Sequence, residues 1–293
     1  MATTFQVGDM TIHRVIEQEE PLFDPLTFFP SLTPETLAEN RPWMEAAGAL
    51  DPKTGNIRLC IQSYVVRTPH HTILVDSCVG NDKDRPTRPF WHRKTDDAWM
   101  RNLAAAGVSV GDVDYVMCTH LHVDHVGWNT RLENGRWVPT FPRARYVFAE
   151  RELAYWTEEH AKEPNPVIAD SVLPVVEAGR AEIVRSDHAL SDHVRMTPTP
   201  GHTPDHFAVE IGRGRTEAVL TGDLIHSPLQ ARYPELSMRA DTDQGQSAAT
   251  RRRFLECHCE ARTLLCTAHF PSPSTGRLSR WGDGFRFEAG ASS

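Results

Sequence analysis

The sequence predicts a layered α/β fold held in one domain. Three observations carry that expectation. Short apolar runs of strand length alternate with segments of helical length. Turn signals built from Gly, Pro, Asn and Asp separate them, and the strands fall into two halves with helices between. The 293 residues exceed an average domain but stay within the range of a single layered α/β unit, and 40% hydrophobic content builds a sizeable core. One domain over residues 1–293 is therefore expected, without repeats of about 20–50 residues and without a low-complexity linker.

The elements follow in order. Residues 5–7 and 10–15 flank Gly8-Asp9, a hairpin signal. Thr33-Pro34 starts a helix expected to reach residue 47, with Gly48 just past its end. Residues 58–67 and 71–76 read as paired strands around a Pro-containing turn. Thr95 opens a second helix through Trp99 and Leu103, closed at Gly107. Asn134-Gly135 marks a turn, residues 144–148 a strand and residues 150–159 a helix. In the second half, strands are expected near 182–184, 194–198, 207–211 and 217–221, then a helix from about Gln244 and a strand at Leu264. Residues 21–30 and 85–91 are the most loop-like, and their aromatics are candidates for a pocket rim.

Composition narrows the function. The formal charge is −8, from 31 basic against 39 acidic residues, so no nucleic-acid footprint is expected. The N-terminal segment lacks a charged n-region and an apolar h-region, and no apolar run approaches membrane-spanning length, so no membrane partner is expected. Cysteines at 60, 78, 118, 257, 259 and 266 form neither a C-x-x-C pair nor a dense framework, which fits reduced thiols and a cytoplasmic location. Cys257-His258-Cys259 lies in a helix-like stretch where neighbours at i and i+2 face apart, so it is not expected to bind metal.

The chemistry concentrates in Thr119-His120-Leu121-His122-Val123-Asp124-His125, directly after the apolar run Tyr115-Val116-Met117-Cys118. In an extended segment His120 and His122 share a face. Asp124 and His125 are adjacent, so both reach a metal cluster only if the backbone bends after His122. A bent segment can place His120 and His122 on one ion and Asp124 and His125 on a second. Further ligands are available at strand and loop ends: His202 in Pro200-Gly201-His202-Thr203-Pro204, Asp223 after Thr221-Gly222, and His269 after Thr267-Ala268. Glycine before a ligand permits close backbone approach or a sharp turn. Imidazole and carboxylate donors suit zinc, with manganese, iron or cobalt as alternatives.

H-L-H-V-D-H, P-G-H-T-P-D-H, T-G-D and A-H, in that order, resemble the metallo-β-lactamase superfamily over nearly the whole chain. The first motif is specific and the others are weak alone. The resemblance implies a four-layer αββα sandwich with a two-metal centre. It implies that His120, His122 and His202 hold one divalent ion, that Asp124, His125 and His269 hold the other, and that Asp223 bridges them. Asp76, ending the run Thr72-Ile73-Leu74-Val75, matches an early family aspartate that orients ligand histidines from behind. Hydroxide formed at such ions attacks a carbonyl or phosphoryl centre, and Asp124 is placed to orient it as well as to ligate.

His226, three residues after Asp223, departs from the tyrosine common in quorum-quenching lactonases and is similar to a G-D-x-x-H pattern of organophosphate-hydrolase-like relatives. It is expected to line the pocket and donate a hydrogen bond to substrate or leaving group rather than ligate a metal, the alternative being a supporting histidine satisfied by backbone. His206 is expected to be structural. His70, His71, His188 and His193 are expected to meet solvent, and Trp128 to pack the next helix, with flooring the pocket as the alternative.

The function expected is hydrolysis of a small ester or lactone, with β-lactam and phosphotriester cleavage using the same centre. A glyoxalase-II-like thioesterase is disfavoured because only 24 residues follow His269, too few for that family's basic helical domain. Mononuclear iron persulfide dioxygenases share H-x-H-x-D-H, but Leu224-Ile225-His226-Ser227-Pro228 lacks their glycine/cysteine-rich arginine motif. Flavodiiron enzymes generally carry glutamate where His122 stands. A non-catalytic metabolite-binding member is opposed by the full ligand set. A homodimer is expected from the habits of the resembling family.

Overall fold

The structure, a computed structural model, describes residues 3–290. It divides into two compact units, each built from separated segments: residues 3–17 with 61–188, and residues 18–60 with the chain from 189 onward.

The first unit carries the strands that lead to the histidine-rich segment. β1 (Thr4–Val7), β2 (Met10–Phe23), β3 (Ile57–Arg67), β4 (Thr72–Val75) and β5 (Tyr115–Met117) precede a small hairpin of β6 (Thr130–Glu133) and β7 (Arg136–Pro139); β8 (Arg145–Ala149) and β9 (Ala181–Val184) follow. The sheet order is β1-β2-β3-β4-β5-β8-β9. β4, β5, β8 and β9 run parallel, in register at Val75↔Met117 and Met117↔Val147. The sequences of β4, β5 and β8 are nearly unbroken apolar runs, as strands covered on both faces require, and Ile73, Leu74, Val116, Met117, Val147 and Phe148 are all buried.

Parallel pairing brings the carboxyl ends of β4 and β5 side by side, where open α/β sheets place their sites. Asp76 leaves β4 there, and its N–H donates to Met117 O at 2.8 Å. The segment after it then zips to the chain beyond His125: Ser77 N to His125 O (2.8 Å), Gly127 N to Cys78 O (2.7 Å) and Trp128 N to Ser77 O (2.8 Å). The buried Glu17 carboxylate locks the junction by accepting from Val79 N (2.9 Å), Gly80 N (3.2 Å) and Trp128 Nε1 (2.8 Å). Trp128 also stacks on Trp99 at 5.3 Å, so it packs on a helix before the motif and not on the next one.

The second unit holds a six-stranded sheet of β10 (Val194–Pro198), β11 (Phe207–Ile211), β12 (Ala218–Leu220), β13 (Leu264–Cys266), β14 (Thr275–Trp281) and β15 (Gly284–Ala289), in that order. Only β12 and β13 are parallel. One sheet edge therefore collects the end of β10, the start of β11 and the ends of β12 and β13, the points from which His202, Asp223 and His269 depart. Helices Pro34–Ala46 and Gln244–His258 belong to this unit. Thr33 and Asp243 cap them, accepting from Thr36 N at 3.2 Å and Gln246 N at 2.9 Å. Two apolar clusters lie here, one around Phe29, Met44 and Ile57, the other around Val219, Leu255 and Phe285.

The α/β class and most expected elements are present, with differences at four places. Residues 21–30 are not a loop: β2 continues to Phe23, and a short helix Pro25–Phe28 follows. Pro25 suits a first helical turn, and Asp24 caps it through Thr27 N at 2.9 Å. The second helix is Ala98–Ala105 and starts after Thr95, with no side-chain cap. The hairpin β14–β15 and the short helices Pro166–Ser171, Leu173–Glu177 and Pro228–Arg232 were not expected. His193 is buried instead of meeting solvent. Among the described residues, no helix is long and apolar enough to cross a membrane.

A Cβ added at Gly127 would lie 1.8 Å from Val79 O, so the two zipped segments approach as closely as backbone allows. Gly127→Ala is expected to cost about 3 kcal/mol or more in stability, since backbone must move apart to admit the methyl group. Urea unfolding measures this; a loss under about 0.5 kcal/mol would show that the junction is not tight.

Candidate metal centre

In the first unit the chain after β5 abandons the strand and turns, with His125 N bonded to His122 O at 3.1 Å. The bend expected after His122 is therefore present. It gathers the side chains: the rings of His120 and His122 are 4.6 Å apart, those of His120 and His125 are 4.1 Å apart, and Asp124 Oδ1 is 3.8 Å from His125 Nε2. His120 and His125 are buried, whereas the Asp124 carboxylate keeps 13% exposure.

Asp76 organises this loop. Its carboxylate accepts from Thr119 N (2.8 Å), Thr119 Oγ1 (2.9 Å) and His125 Nδ1 (2.9 Å). The Thr119 hydroxyl, having donated to Asp76, is left to accept from His120 Nδ1 at 3.1 Å. Asp76 thus orients His125 directly and His120 through Thr119, from a backbone held at φ 58°. That conformation is uncommon outside glycine and marks a position its surroundings must enforce. Two further groups hold the loop from helix Glu150–Lys162: Glu152 accepts from Leu121 N (3.2 Å), and Trp156 meets the His122 ring edge-on at 5.4 Å. Burial pushes the Cys118 thiol up, so this cysteine beside the motif is not a nucleophile at neutral pH.

In the second unit Gly201, at φ 131°, lets the turn before His202 press onto the start of helix Gln244–His258, where a Cβ would lie 2.3 Å from Ser247 N. His202 Nδ1 pairs with Asp241 Oδ1 at 2.7 Å, and His269 Nδ1 donates to Cys60 O at 3.0 Å. Both rings then turn Nε2 toward Asp223, 3.2 Å from Oδ2 for His202 and 2.8 Å from Oδ1 for His269. His206 holds the Asp223 backbone by accepting from its N–H at 2.9 Å, the structural role expected of it. Behind Asp241 the fully buried Arg251 guanidinium lies 3.5 Å away and donates to Leu224 O, Pro234 O, Leu236 O and Ser247 Oγ at 2.7–2.8 Å.

These contacts test the fit of a cation. With Nδ1–H committed to Cys60 O, the second nitrogen of neutral His269 carries a lone pair, and so does the carboxylate oxygen facing it. The same holds for His202. Such contacts are resolved by a shared proton or a shared metal ion. Donors about 2.0–2.1 Å from a tetrahedral zinc lie roughly 3.3 Å apart, close to the spacing seen. The imidazole and carboxylate donors fit a divalent ion. In the absence of a metal the proton takes that place: burial opposes charge on His202, but Asp223 and Asp241 outweigh it and lift its pKa to about 9.

His226 is buried beside the same carboxylate, its Nε2 3.0 Å from Asp223 Oδ2 and its ring stacked on His269 at 5.4 Å. Phe28 meets it edge-on at 5.8 Å, and Gln230 accepts from its backbone N–H at 2.7 Å. Burial lowers its pKa, with Asp223 acting in the opposite sense. In the neutral ring one nitrogen carries the proton and the other a lone pair, so the tautomer decides whether His226 donates toward Asp223 or through Nδ1.

The structure thus groups His120, His122, Asp124 and His125 in the first unit, and His202, Asp223, His226 and His269 in the second. Cys257 and Cys259 belong to no potential metal group among the described residues. Sequence reasoning did not find Glu152, Trp156, Asp241 or Arg251, nor the Cys60 carbonyl.

A family model described as the metallo-beta-lactamase superfamily matches residues 61–269. The chain belongs to this superfamily. It is similar to an N-acyl homoserine lactonase of a Bacillus species, 30% identical over 125 residues. That match spans 43% of this chain and 43% of the length of the relative. By structure it is similar to AidC, a dizinc quorum-quenching lactonase in complex with a product, at TM-score 0.82 and 20% identity, covering 99% of this chain and 97% of the other. It is also similar to AbOPH, described as a hydrolase in the beta lactamase superfamily, at TM-score 0.79 and 22% identity, covering 98% of this chain and 97% of the other. These likenesses establish the metallo-β-lactamase fold.

Asp76→Asn replaces an acceptor-only carboxylate by an amide whose NH₂ faces the same donors. Zinc affinity, measured by competition with a chromophoric chelator, is expected to fall about 10–100-fold without loss of fold. Unchanged affinity would remove Asp76 from the support of the centre.

Proposed function

We propose that this chain is a dinuclear metal-dependent hydrolase of small esters or lactones. The observation that carries the reading is the pair of Nε2 atoms of His202 and His269 turned on the Asp223 carboxylate with their Nδ1 atoms already engaged. We assign His120, His122 and His202 to one ion, Asp124, His125 and His269 to the other, and Asp223 to both. Zinc is the ion proposed for each site, on donor chemistry and on the dizinc AidC. When bound, such ions supply Lewis acidity and lower the pKa of water toward ~7.

The protein groups do the rest. Asp124, the more exposed carboxylate, orients the attacking water and accepts its hydrogen bond. His122, also partly exposed, borders the approach of substrate. Asp223, fixed by His206 at its backbone, holds its oxygens at constant orientation while charge builds on the substrate. His226 steadies that carboxylate through Nε2 and offers Nδ1 toward the substrate side. We read residues 1–293 as one domain, because the two units exchange chain within the continuous strands β2 and β3 rather than at linkers. Six cysteines without a disulfide among the described residues fit a cytoplasmic location, and a homodimer is the assembly proposed.

The test is a panel of N-acyl homoserine lactones, aryl esters, phosphotriesters and β-lactams with metal-loaded protein. Lactone or ester turnover lost to chelator and restored by zinc is the expected outcome. Faster phosphotriester turnover would move the chain to the phosphoryl branch, and oxygen uptake with one iron per chain would place it among dioxygenases. His226→Ala is expected to keep both metals and to lower kcat at least about tenfold. Full turnover would take His226 out of the mechanism.

A further inference from the structure

The second unit carries a cavity of about 410 Å³ that the hydrolase reading does not use. That volume lies within the ~300–1,000 Å³ typical of small-molecule sites. Its walls are aromatic and come from three distant stretches: Trp43 of helix Pro34–Ala46, Phe270 and Pro273 after β13, and Trp281, Arg286 and Phe287 of the hairpin β14–β15. Trp43 and Trp281 meet edge-on at 5.4 Å, and so do Phe270 and Phe287 at 4.8 Å. The Ser272-Pro273 rim is fixed by the Glu19 carboxylate, which accepts from Ser272 N at 3.1 Å and Ser272 Oγ at 2.6 Å.

The Trp281 side of the rim is positive. The Arg286 guanidinium lies 4.4 Å over the Trp281 ring, and Arg232 lies 5.1 Å from the same ring while donating to Trp281 O at 3.2 Å. Arg286 is exposed and has no carboxylate partner among the described residues. A guanidinium parked on an indole keeps its in-plane N–H donors available, the geometry that receives a carboxylate in two parallel hydrogen bonds. An apolar aromatic chamber with one such cation at its mouth matches a molecule that is apolar along its length and anionic at one end.

We propose that this cavity binds an amphipathic carboxylate, its hydrocarbon or aryl body among the Trp and Phe rings and its carboxylate on Arg286. None of the assigned metal ligands lines this cavity, although Phe270 directly follows His269, and the proposal does not depend on which reaction those ligands support.

Calorimetric titration of the metal-loaded protein with octanoate, and with 1-octanol as the uncharged control, tests it. Two substitutions at exposed positions leave the core untouched: Arg286→Gln removes the cation, and Ala47→Trp places an indole in the cavity. Octanoate is expected to bind once per chain, about tenfold more weakly to Arg286→Gln, and not measurably to Ala47→Trp. Octanol is expected to bind equally to the parent and to Arg286→Gln. Octanoate binding that neither substitution changes would locate the ligand at the metal centre and overturn the proposal. So would equal affinity for octanoate and octanol, or a self-associated protein that binds neither until Ala47→Trp dissociates it.

Discussion

An imidazole whose one N–H is already donated can offer only a lone pair to whatever faces its other nitrogen. The Asp223 carboxylate faces two such rings, His269 at 2.8 Å and His202 at 3.2 Å. Buried, that arrangement is repulsive unless a cation sits among the donors. Much else in both units serves to keep imidazoles in that condition. The Cys60 carbonyl, Asp241, Thr119 and Asp76 each engage an Nδ1 atom and decide which nitrogen looks inward.

The sheets supply the placement. Parallel neighbours end at the same edge, and each unit has one parallel junction that matters: β4 beside β5, and β12 beside β13. At the first, an aspartate at the end of one strand meets the histidine-rich loop at the end of the next. At the second, Asp223 and His269 leave adjacent strands. Chain order and spatial order therefore differ. His269 is oriented by a carbonyl 209 residues earlier, and Asp76 supports a loop that begins 43 residues later.

Much of this was legible because ligand chemistry and strand patterning are local. The H-x-H-x-D-H run, the glycines before His202 and Asp223, and the apolar strands ahead of Asp223 and His269 are contiguous signals, and the structure gathers these donors within each unit. Asp241 was not legible: it sits in an irregular stretch between Met238 and Thr242, and nothing local distinguishes it from a solvated loop aspartate. Arg251 looked like one of three adjacent arginines on a helix, yet it is the buried one. The β14–β15 hairpin did have a signal, since Gly282-Asp283 is a two-residue turn with Gly282 at φ 58° between alternating aromatic and charged residues. His226 stands out in the sequence, but the contact of its Nε2 with the Asp223 carboxylate at 3.0 Å is stated by no local pattern.

The Arg251–Asp241–His202 chain shows why the supporting shell is so poorly local. A buried guanidinium is costly unless its donors are matched, and burial here lowers the Arg251 pKa to about 10. Three backbone carbonyls and the Ser247 hydroxyl satisfy it, drawn from residues 224 to 247. So compensated, Arg251 places a fixed positive charge behind Asp241. Burial alone would raise the pKa of that carboxyl, but the hydrogen bond from His202, with the charges of His202 and Arg251, holds it below the usual range. An ionised Asp241 in turn holds His202 Nδ1–H, leaving Nε2 for the centre. Each step converts a desolvation cost into orientation of the next group. Only a folded chain can assemble that sequence of dependencies, which is why the ligands announce themselves in the sequence and the residues that aim them do not.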